Sequence, residues 1–504
     1  MYIIPDSIIK ILKNVPLDNT YRNTIYFPNA SAQVSYFASK EKYNLTNYSY
    51  IRPQNAVKVA INSENLYDCN YLMFQNKAFG SKWFYAFITS VEYVGNNTAT
   101  ITYEIDVMQT WHFDYNVNMC FVEREMSATD AIGDNLVPEN LELGSYVYED
   151  QGFISEFEPN QIIIASTFDE DMEDAVGGLY GGIYSGIRFN RFLTWEDANS
   201  FINYATANVK SSGIVSIFMY PLSFFPNTSA TDPITFTKSR DKSYNNIGGY
   251  VPKNKKLFTY PYNFLYVTNN EGNAANYPYE FFTDSACKFD VTGAISCNPE
   301  FSLIPLNYKG ALKNYNEQMT VGNYPQCAYA IDSYKAYIAQ NANRLNLATV
   351  RAVTQTATGA IKLANSGGVS GTNEIMKGVD DIANILATNA DMDALPPQAH
   401  GAHSPNVNFV NKIKGFQFYN VHIRDEFARI IDEYFNVYGY ATRRVKVPNR
   451  NVRPHWNYVK TINSSLTGSV PADDMARLRG IYDKGVTFWN NGNEVGNYAL
   501  NNTI

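Results

Sequence analysis

The sequence predicts a mainly β protein interrupted by an α+β insertion and a helical hairpin, and three observations carry that expectation. Residues 82–93 and 98–107 are rich in aromatic and β-branched side chains, alternate roughly apolar and polar, and flank Val94-Gly95-Asn96-Asn97. That is the pattern of a long β-hairpin, because Gly and Asn tolerate the positive φ a tight turn needs. With 39 Tyr and 30 Phe the chain is aromatic-heavy, as sheet-packing chains are. Finally, the apolar period changes from two to 3.6 only in a few stretches, the longest starting at Asp332.

At 504 residues the chain exceeds one hydrophobic core, and about three domains is the prior. From Met1 to about Glu149 the pattern is strands and turns. Residues 155–250 are expected to form an inserted α+β domain containing an acidic cluster (FDEDMED, 168–174), a glycine-rich stretch read as a flexible loop (VGGLYGGIYSG, 176–186) and one helix. That helix is placed at 194–207, with Thr194 as N-cap ahead of Glu196 and Asp197 at its positive end. Strands resume from Lys256 to about Ala330.

Tyr334, Ile338, Ala342 and Leu345 then recur at helical spacing, and Leu347, Val350, Val353 and Ala357 extend the stripe, with Ile361 beyond it. NSGGVSGTN (365–373) breaks the pattern. A second helix, 374–386, repeats it through Ile375, Val379, Ile382 and Leu386, and Leu395-Pro396-Pro397 ends the excursion. Residues 345–393 thus read as two amphipathic arms around a glycine-serine tip, which on the residues alone fits a helical hairpin packed on its own domain. After Phe409 strands return with GFQFYNVHI (415–423). A helix over 424–435 places Phe427, Ile430, Ile431 and Tyr434 on one face, and a short helix over 475–483 follows two acids.

The formal net charge is -8 and the pI near 5.3, the wrong sign for a protein that grips nucleic acid through clustered cations. Asn is overused in turns, where it caps or occupies the left-handed region, although an AT-rich coding sequence accounts for the bias equally well. Cys69, Cys120, Cys287, Cys297 and Cys327 are odd in number and contain no CxxC pair, so folding in a reducing cytoplasm is expected, without a disulfide framework or a zinc site. Neither a secretory leader nor an apolar window of about 18 residues is visible.

Catalytic signals are absent. His112, His400, His403, His422 and His455 are scattered, and the AHGAH spacing of His400 and His403 sits among Gly and Pro, where a helical zinc pair is not expected. No GxSxG, HExxH or GxxxxGK[ST] occurs, and Gly177, Gly178, Gly181 and Gly182 lack the Lys-Ser/Thr of a phosphate loop. Asp391 and Asp393, or the acids of 169–174, fit solvated surface better than a calcium site or a glycosidase pair. No catalytic, cofactor-binding or metal-binding residue is assigned. Arg443, Arg444, Lys446, Arg450 and Arg453 form the one basic cluster, read as inter-subunit ion pairs or a surface for a neighbouring component in preference to phosphate contacts.

Certain words in the chain say more than periodicity does. FQN (74–76), Gly80, KWFYAF (82–87) and YEIDVMQTW (103–111) resemble the tail-knob, or distal tail tube, family of phi29-like short-tailed phages. VPLDNTYRNTIYF (15–27) with Tyr36-Phe37, KLFTYPYNFLYVTNNEGN (256–273), DSYKAYIAQN (332–341), LPPQ (395–398), YFNVYGYATRRVKVPN (434–449), NYVKT (457–461), IYDKGVTFWN (481–490) and GNY (496–498) continue it in order. Residues 155–250 and 345–393 carry no such match.

The resemblance implies β tail-tube domains forming a cyclic ring, a homo-hexamer at the distal tip of the virion tail, non-enzymatic and without cofactors. Its implied partners are other copies of itself, the lower collar and tail tube proteins, and genomic DNA passing without sequence specificity. Six copies would carry about -48, an acidic wall along which DNA slides. The implied organisation is a tube domain (1–154), the insertion (155–250), a second tube segment (251–344), a tip loop that plugs the lumen (345–394) and a C-terminal tube segment (395–504). Leu345, Leu347, Val350, Val353, Ile361, Ile375, Val379, Ile382 and Leu386 would line that plug. The family loop is longer and dominated by Gly, Ala and Met, whereas this one carries Arg351, Lys362, Glu374, Lys377, Asp380 and Asp381, so plugging transfers better than insertion into a host membrane. The rival reading is a tail-associated cell-wall hydrolase or host-binding adhesin, with a carbohydrate site in 155–250.

Overall fold

The computed structural model describes residues 6–48, 50–51, 55–77, 80–154, 160–168, 175–180, 183–207, 210, 213–221, 234–293, 300–322, 324, 326–327, 329–330, 399–400 and 415–504. The architecture is mainly β, as the sequence predicts. Contacts divide the chain into two units, one formed by residues 1–145, 246–259 and 423–504, the other by 146–245 and 260–422. This division is made by contact rather than chain order, and it is coarser than the five consecutive segments expected from the sequence.

The first unit contains a seven-stranded antiparallel sheet ordered Glu41–Thr46, Ser7–Lys13, Cys69–Asn76, Phe84–Gly95, Thr98–Ile105, Ala56–Val59 and Tyr50–Ile51. Its centre is the expected hairpin. Gly95 pairs with Thr98, leaving Asn96-Asn97 as a two-residue turn. Ala99, Ile101 and Tyr103 are buried at alternate positions, whereas Phe84, Tyr85, Ala86 and Phe87 are buried without alternation, because both faces are covered there, Phe37 lying against Tyr85 and Trp111 against Phe84. The second strand ends at Ile105, two residues short of the expected Val107. Asp106 accepts the Gln109 N–H at 3.1 Å and turns the chain into a short helix, α2 (Val107–Thr110), after α1 (Ala30–Ala38), which Asn29 caps in the same manner. Phe37 of α1 stacks on Tyr71 with centroids 5.2 Å apart, seating the helix on the sheet.

A five-stranded sheet in the same unit is ordered Asn23–Ile25, Val486–Trp489, Trp456–Ile462, Cys120–Glu125 and Tyr440–Lys446, the first pair being parallel. It draws strands from both ends of the chain, with Trp456 and Trp489 in contact across it at 5.3 Å. Two helices belong to this unit besides α1 and α2. Following α3 of the second unit (Trp195–Ala207), they are α4 (Asp425–Tyr438) and α5 (Ala472–Lys484). The expected face of α4 is corrected. Ala428, Ile431, Asp432, Phe435 and Asn436 are buried, while Ile430 is 66% exposed, because the packed stripe is rotated toward a buried carboxylate that hydropathy counts as outward.

Among its described residues the second unit holds three larger sheets, besides the two-stranded pairing of Tyr329–Ala330 with Ala399–His400. One is ordered Tyr146–Ile154, Phe416–Ile423, Asn263–Thr268 and Ala274–Tyr277. A second runs Ala175–Tyr180, Ile183–Phe192, Asn160–Ser166, Ile214–Pro221 and Gln326–Cys327; a third runs Ile234–Asp241, Ala286–Gly293, Phe301–Tyr308 and Ala311–Lys313, with Met319–Val321 also on Phe301–Tyr308. The glycine-rich stretch expected as a loop is corrected: Ala175–Tyr180 pairs antiparallel with Ile183–Phe192, since glycine keeps the N–H and C=O that a ladder needs. The helix α3 begins as expected. The Asp197 N–H donates to Thr194 Oγ1 at 3.2 Å, and the Thr194 hydroxyl donates back to the Asp197 carboxylate at 2.6 Å. The core joins Phe289, Phe418, Tyr277, Phe282 and Tyr308, with Phe289 and Phe418 edge-to-face at 5.4 Å.

Candidate functional site

The residues expected to plug a lumen, Leu345, Leu347, Val350, Val353, Ile361, Ile375, Val379, Ile382 and Leu386, lie outside the described residues, as do His403, Asp391, Asp393 and the acids of 169–174. What is described is the place where that excursion leaves and rejoins the second unit. Gln326 and Cys327 pair with Phe218 and Ile217 at the edge of the second unit's five-stranded sheet. Two residues later Tyr329 and Ala330 pair antiparallel with His400 and Ala399. The described strands that flank residues 331–398 therefore lie side by side. On the outgoing side, buried Tyr324 packs edge-on against Phe301 at 5.6 Å. On the return, Phe416 and Phe418 enter the core as part of the strand Phe416–Ile423. Tyr324 before residues 331–398 and Phe416 and Phe418 after them thus belong to the same buried core.

The first unit holds two buried polar nodes that no sequence pattern indicated. Asp432 on α4 accepts hydrogen bonds from the Tyr250 hydroxyl (2.6 Å), the Lys253 N–H (2.7 Å), and the Asn254 N–H (3.0 Å) and Nδ2 (2.7 Å). Glu139 receives Lys256 Nζ at 2.5 Å, Arg124, and the Ala441 N–H at 3.1 Å, while Lys256 also donates to the Val137 carbonyl at 2.8 Å. Lys256 is buried against the Phe435 and Tyr440 rings; burial foremost, then Arg124 and Arg443, pulls its ammonium down to about 7. Glu139 at contact distance opposes that pull. A buried pair that is fully hydrogen-bonded fixes geometry more than it adds stability. The two nodes clamp residues 246–259 to α4 and to the strand Tyr440–Lys446, segments nearly 200 residues apart in the chain.

The expected basic surface is divided, which corrects its reading as one patch. Lys446 pairs with buried Glu125 at 2.5 Å, Arg453 is buried and donates from Nε to the Ser127 carbonyl at 2.9 Å, and Arg450 lies over Tyr115. Arg443 and Arg444 remain exposed.

The arrangement holds little chemistry. His112 is buried and pushed down to about 4 by desolvation, and its Nε2 lies 3.2 Å from the Phe27 N and 3.1 Å from the Phe27 carbonyl oxygen. His455 is joined to Glu494 at 2.8 Å and His422 to Glu149 at 3.3 Å, in separate sheets. Burial pushes the thiols of Cys69 and Cys287 up to about 11 and about 12, which makes them poor nucleophiles. Among the described residues no group of three His, Cys, Asp or Glu is placed to hold a metal, and no helix is long and apolar enough to cross a membrane.

Residues 227–503 match the family described as the C-terminal domain of the Bacillus phage phi29 tail knob protein gp9. Residues 5–116, which contain the seven-stranded sheet, match the family described as the Caudoviral major tail protein N-terminus. Relatives include the tail knob proteins gp9 of Bacillus phage PZA, 25% identical, and of Bacillus phages phi29 and B103, each 24% identical; every alignment spans 98% of this chain and 98% of the relative. The likeness expected from scattered words therefore runs nearly end to end. The solved structure of the bacteriophage C1 tail knob protein gp12 superposes with a TM-score of 0.60 at 15% identity over 97% of both chains, a likeness of fold.

Proposed function

The chain belongs to the family of the phi29 tail knob protein gp9, and from that membership we propose that it is a structural, non-enzymatic subunit of the phage tail tip. Copies of it close into a ring, most simply a hexamer, whose lumen conducts the genome during ejection. Its partners are further copies of itself, the adjoining lower collar or tail tube proteins, and DNA that passes without sequence recognition. An acidic chain suits that last role, since like charge lets a polyanion slide.

The segment over residues 345–394 is the gate. The observation that carries this is the ladder Tyr329↔His400 and Ala330↔Ala399, which holds the two ends together at the margin of a packed core. A segment attached in that way can move, or be removed, without breaking the core's pairing. Contact of this segment with the host membrane is the further step, and its charges at Arg351, Lys362, Asp380 and Asp381 make lipid insertion costly without a trigger.

The test replaces residues 345–394 by a short Gly/Ser linker. The expected result is a folded protein that still forms rings in electron micrographs, now with an open lumen, and phage that retain or deliver DNA poorly. An insoluble, unfolded product would make the segment part of the core and remove the gating role. A monomer both in solution and in purified tails would remove the ring.

A further inference from the structure

The strand edges of the first unit differ in how they are protected against further pairing. The Glu41–Thr46 edge is guarded by Lys10–Glu41 at 2.7 Å and Lys42–Asp68 at 2.5 Å, and the edge strand Asn23–Ile25 is only three residues long. Charge and shortness are common protections against edge-to-edge association. The hairpin strand Phe84–Gly95 is 12 residues long and carries Glu92 as its one charge. Cys69–Asn76 pairs with it only as far as Phe87, so among the described residues 88–95 pair on one side alone, with Thr98–Ile105. This overhang exposes Glu92, with Tyr93 63% and Val94 45% exposed.

The second open edge is Tyr440–Lys446, which pairs only with Cys120–Glu125 among the described residues. Its two faces differ. On one, the register sets Val445 beside Phe121 and Phe121 beside Ile462, an apolar row across three strands whose members are 61%, 37% and 47% exposed; exposed Met119 and Val447 adjoin it. On the other, Thr442, Arg444 and Lys446 line a polar cavity of about 270 Å³ with Glu125 and Asp134. A strand added here must be apolar on one side and polar on the other, with a carboxylate to meet Arg444. Between the two register shifts that bracket it, residues 90–93 have that pattern, Val91 and Tyr93 on one side, Ser90 and Glu92 on the other.

We propose that the 88–95 overhang of one copy adds as a sixth strand to the Tyr440–Lys446 edge of the next copy, with Tyr93 on the Phe121–Val445 row and Glu92 toward Arg444. The contact joins two different edges, so it is head-to-tail and propagates around a ring instead of stopping at a dimer. It rests on the ring assembly proposed above.

The test mixes two full-length single variants, Tyr93→Cys and Val445→Cys, at micromolar concentration with a mild copper oxidant. With Cys297→Ser and Cys327→Ser in both chains, disulfide-linked dimers are expected in the mixture and not in either variant alone, the remaining native Cys69, Cys120 and Cys287 being buried. Arg444→Glu should weaken ring formation at least tenfold, and Glu92→Arg in the same chain should restore it, which separates a charge contact from a folding defect. Wild-type rings with neither the mixed cross-link nor the charge-swap rescue would overturn the edge assignment and leave the ring intact. Absence of wild-type rings in solution and in tails would overturn both.

Discussion

The Tyr71 hydroxyl donates to Oδ2 of Asp106 at 2.7 Å, inside the core of the seven-stranded sheet, where both side chains are buried. The same carboxylate caps α2 through the Gln109 N–H. One acid thus joins a central strand to the turn that ends the hairpin. Burial dominates its titration, pushing the carboxyl up to about 6 against the pull of Tyr71 and the helix N–H groups.

A carboxyl with a raised folded pKa takes up its proton more readily in the native state. Its contribution is therefore fully present below about pH 4, the unfolded value, and is lost as pH rises through about 6. Asp106→Asn keeps a capping oxygen and cannot titrate. The urea-unfolding free energy of the wild type relative to this variant should fall by about 2 kcal/mol between pH 4 and pH 7. Parallel pH profiles would show that Asp106 does not titrate in that window.

Asp432 accepts four hydrogen bonds while buried, so Asp432→Ala strands donors from residues 250–254 without water. A loss of about 3–5 kcal/mol is expected. Tyr250→Phe, which removes one of the four, should cost about 1–2 kcal/mol. Thermal unfolding of the two variants, with hydrogen exchange over 246–259, checks the ranking; equal effects would mean that the node does not act as a unit.

Gly439 ends α4 at φ 65° and ψ -151°, and a Cβ there would lie 2.1 Å from the Glu125 carbonyl oxygen. Gly496 also has positive φ, 86°, with open space around it. Gly439→Ala should therefore cost several times the roughly 1 kcal/mol expected of Gly496→Ala, because only the first adds a backbone collision to the conformational strain. Comparable denaturation midpoints would refute the close approach of α4 to the Cys120–Glu125 strand.

Phe289 contacts Phe418, Tyr277 and Phe282 in the core that roots the excursion. Phe289→Ala should cost about 3–5 kcal/mol. Hydrogen exchange should place the loss of protection in residues 260–322 and 416–422 and spare the seven-stranded sheet. Uniform loss across both units would show that they unfold as one.

Local signals were legible in the sequence wherever a segment's partner is its own neighbour. The hairpin through Asn96-Asn97, the Thr194 cap and the acids opening α5 each depend on residues within a few positions, so periodicity and capping chemistry determine them. The tail-knob resemblance was legible for a different reason, as a matter of particular words in order. The plug residues Leu345 through Leu386 remain an expectation of the sequence.

Tertiary structure alone decided the rest, because non-local pairing is set by which strand is available once distant segments meet. Nothing near Cys120 announces that it will lie between residues 440–446 and 456–462. Hydropathy assigns Asp432 outward and Ile430 inward, and the structure reverses both since residues 250–254 arrive to hydrogen-bond the acid. Composition groups five cations that the fold then parts, burying Arg453, pairing Lys446 with Glu125 and leaving Arg443 and Arg444 at an open edge. Whether a charge or an apolar side chain faces water depends on what packs above it, and that is a property of the assembled sheets.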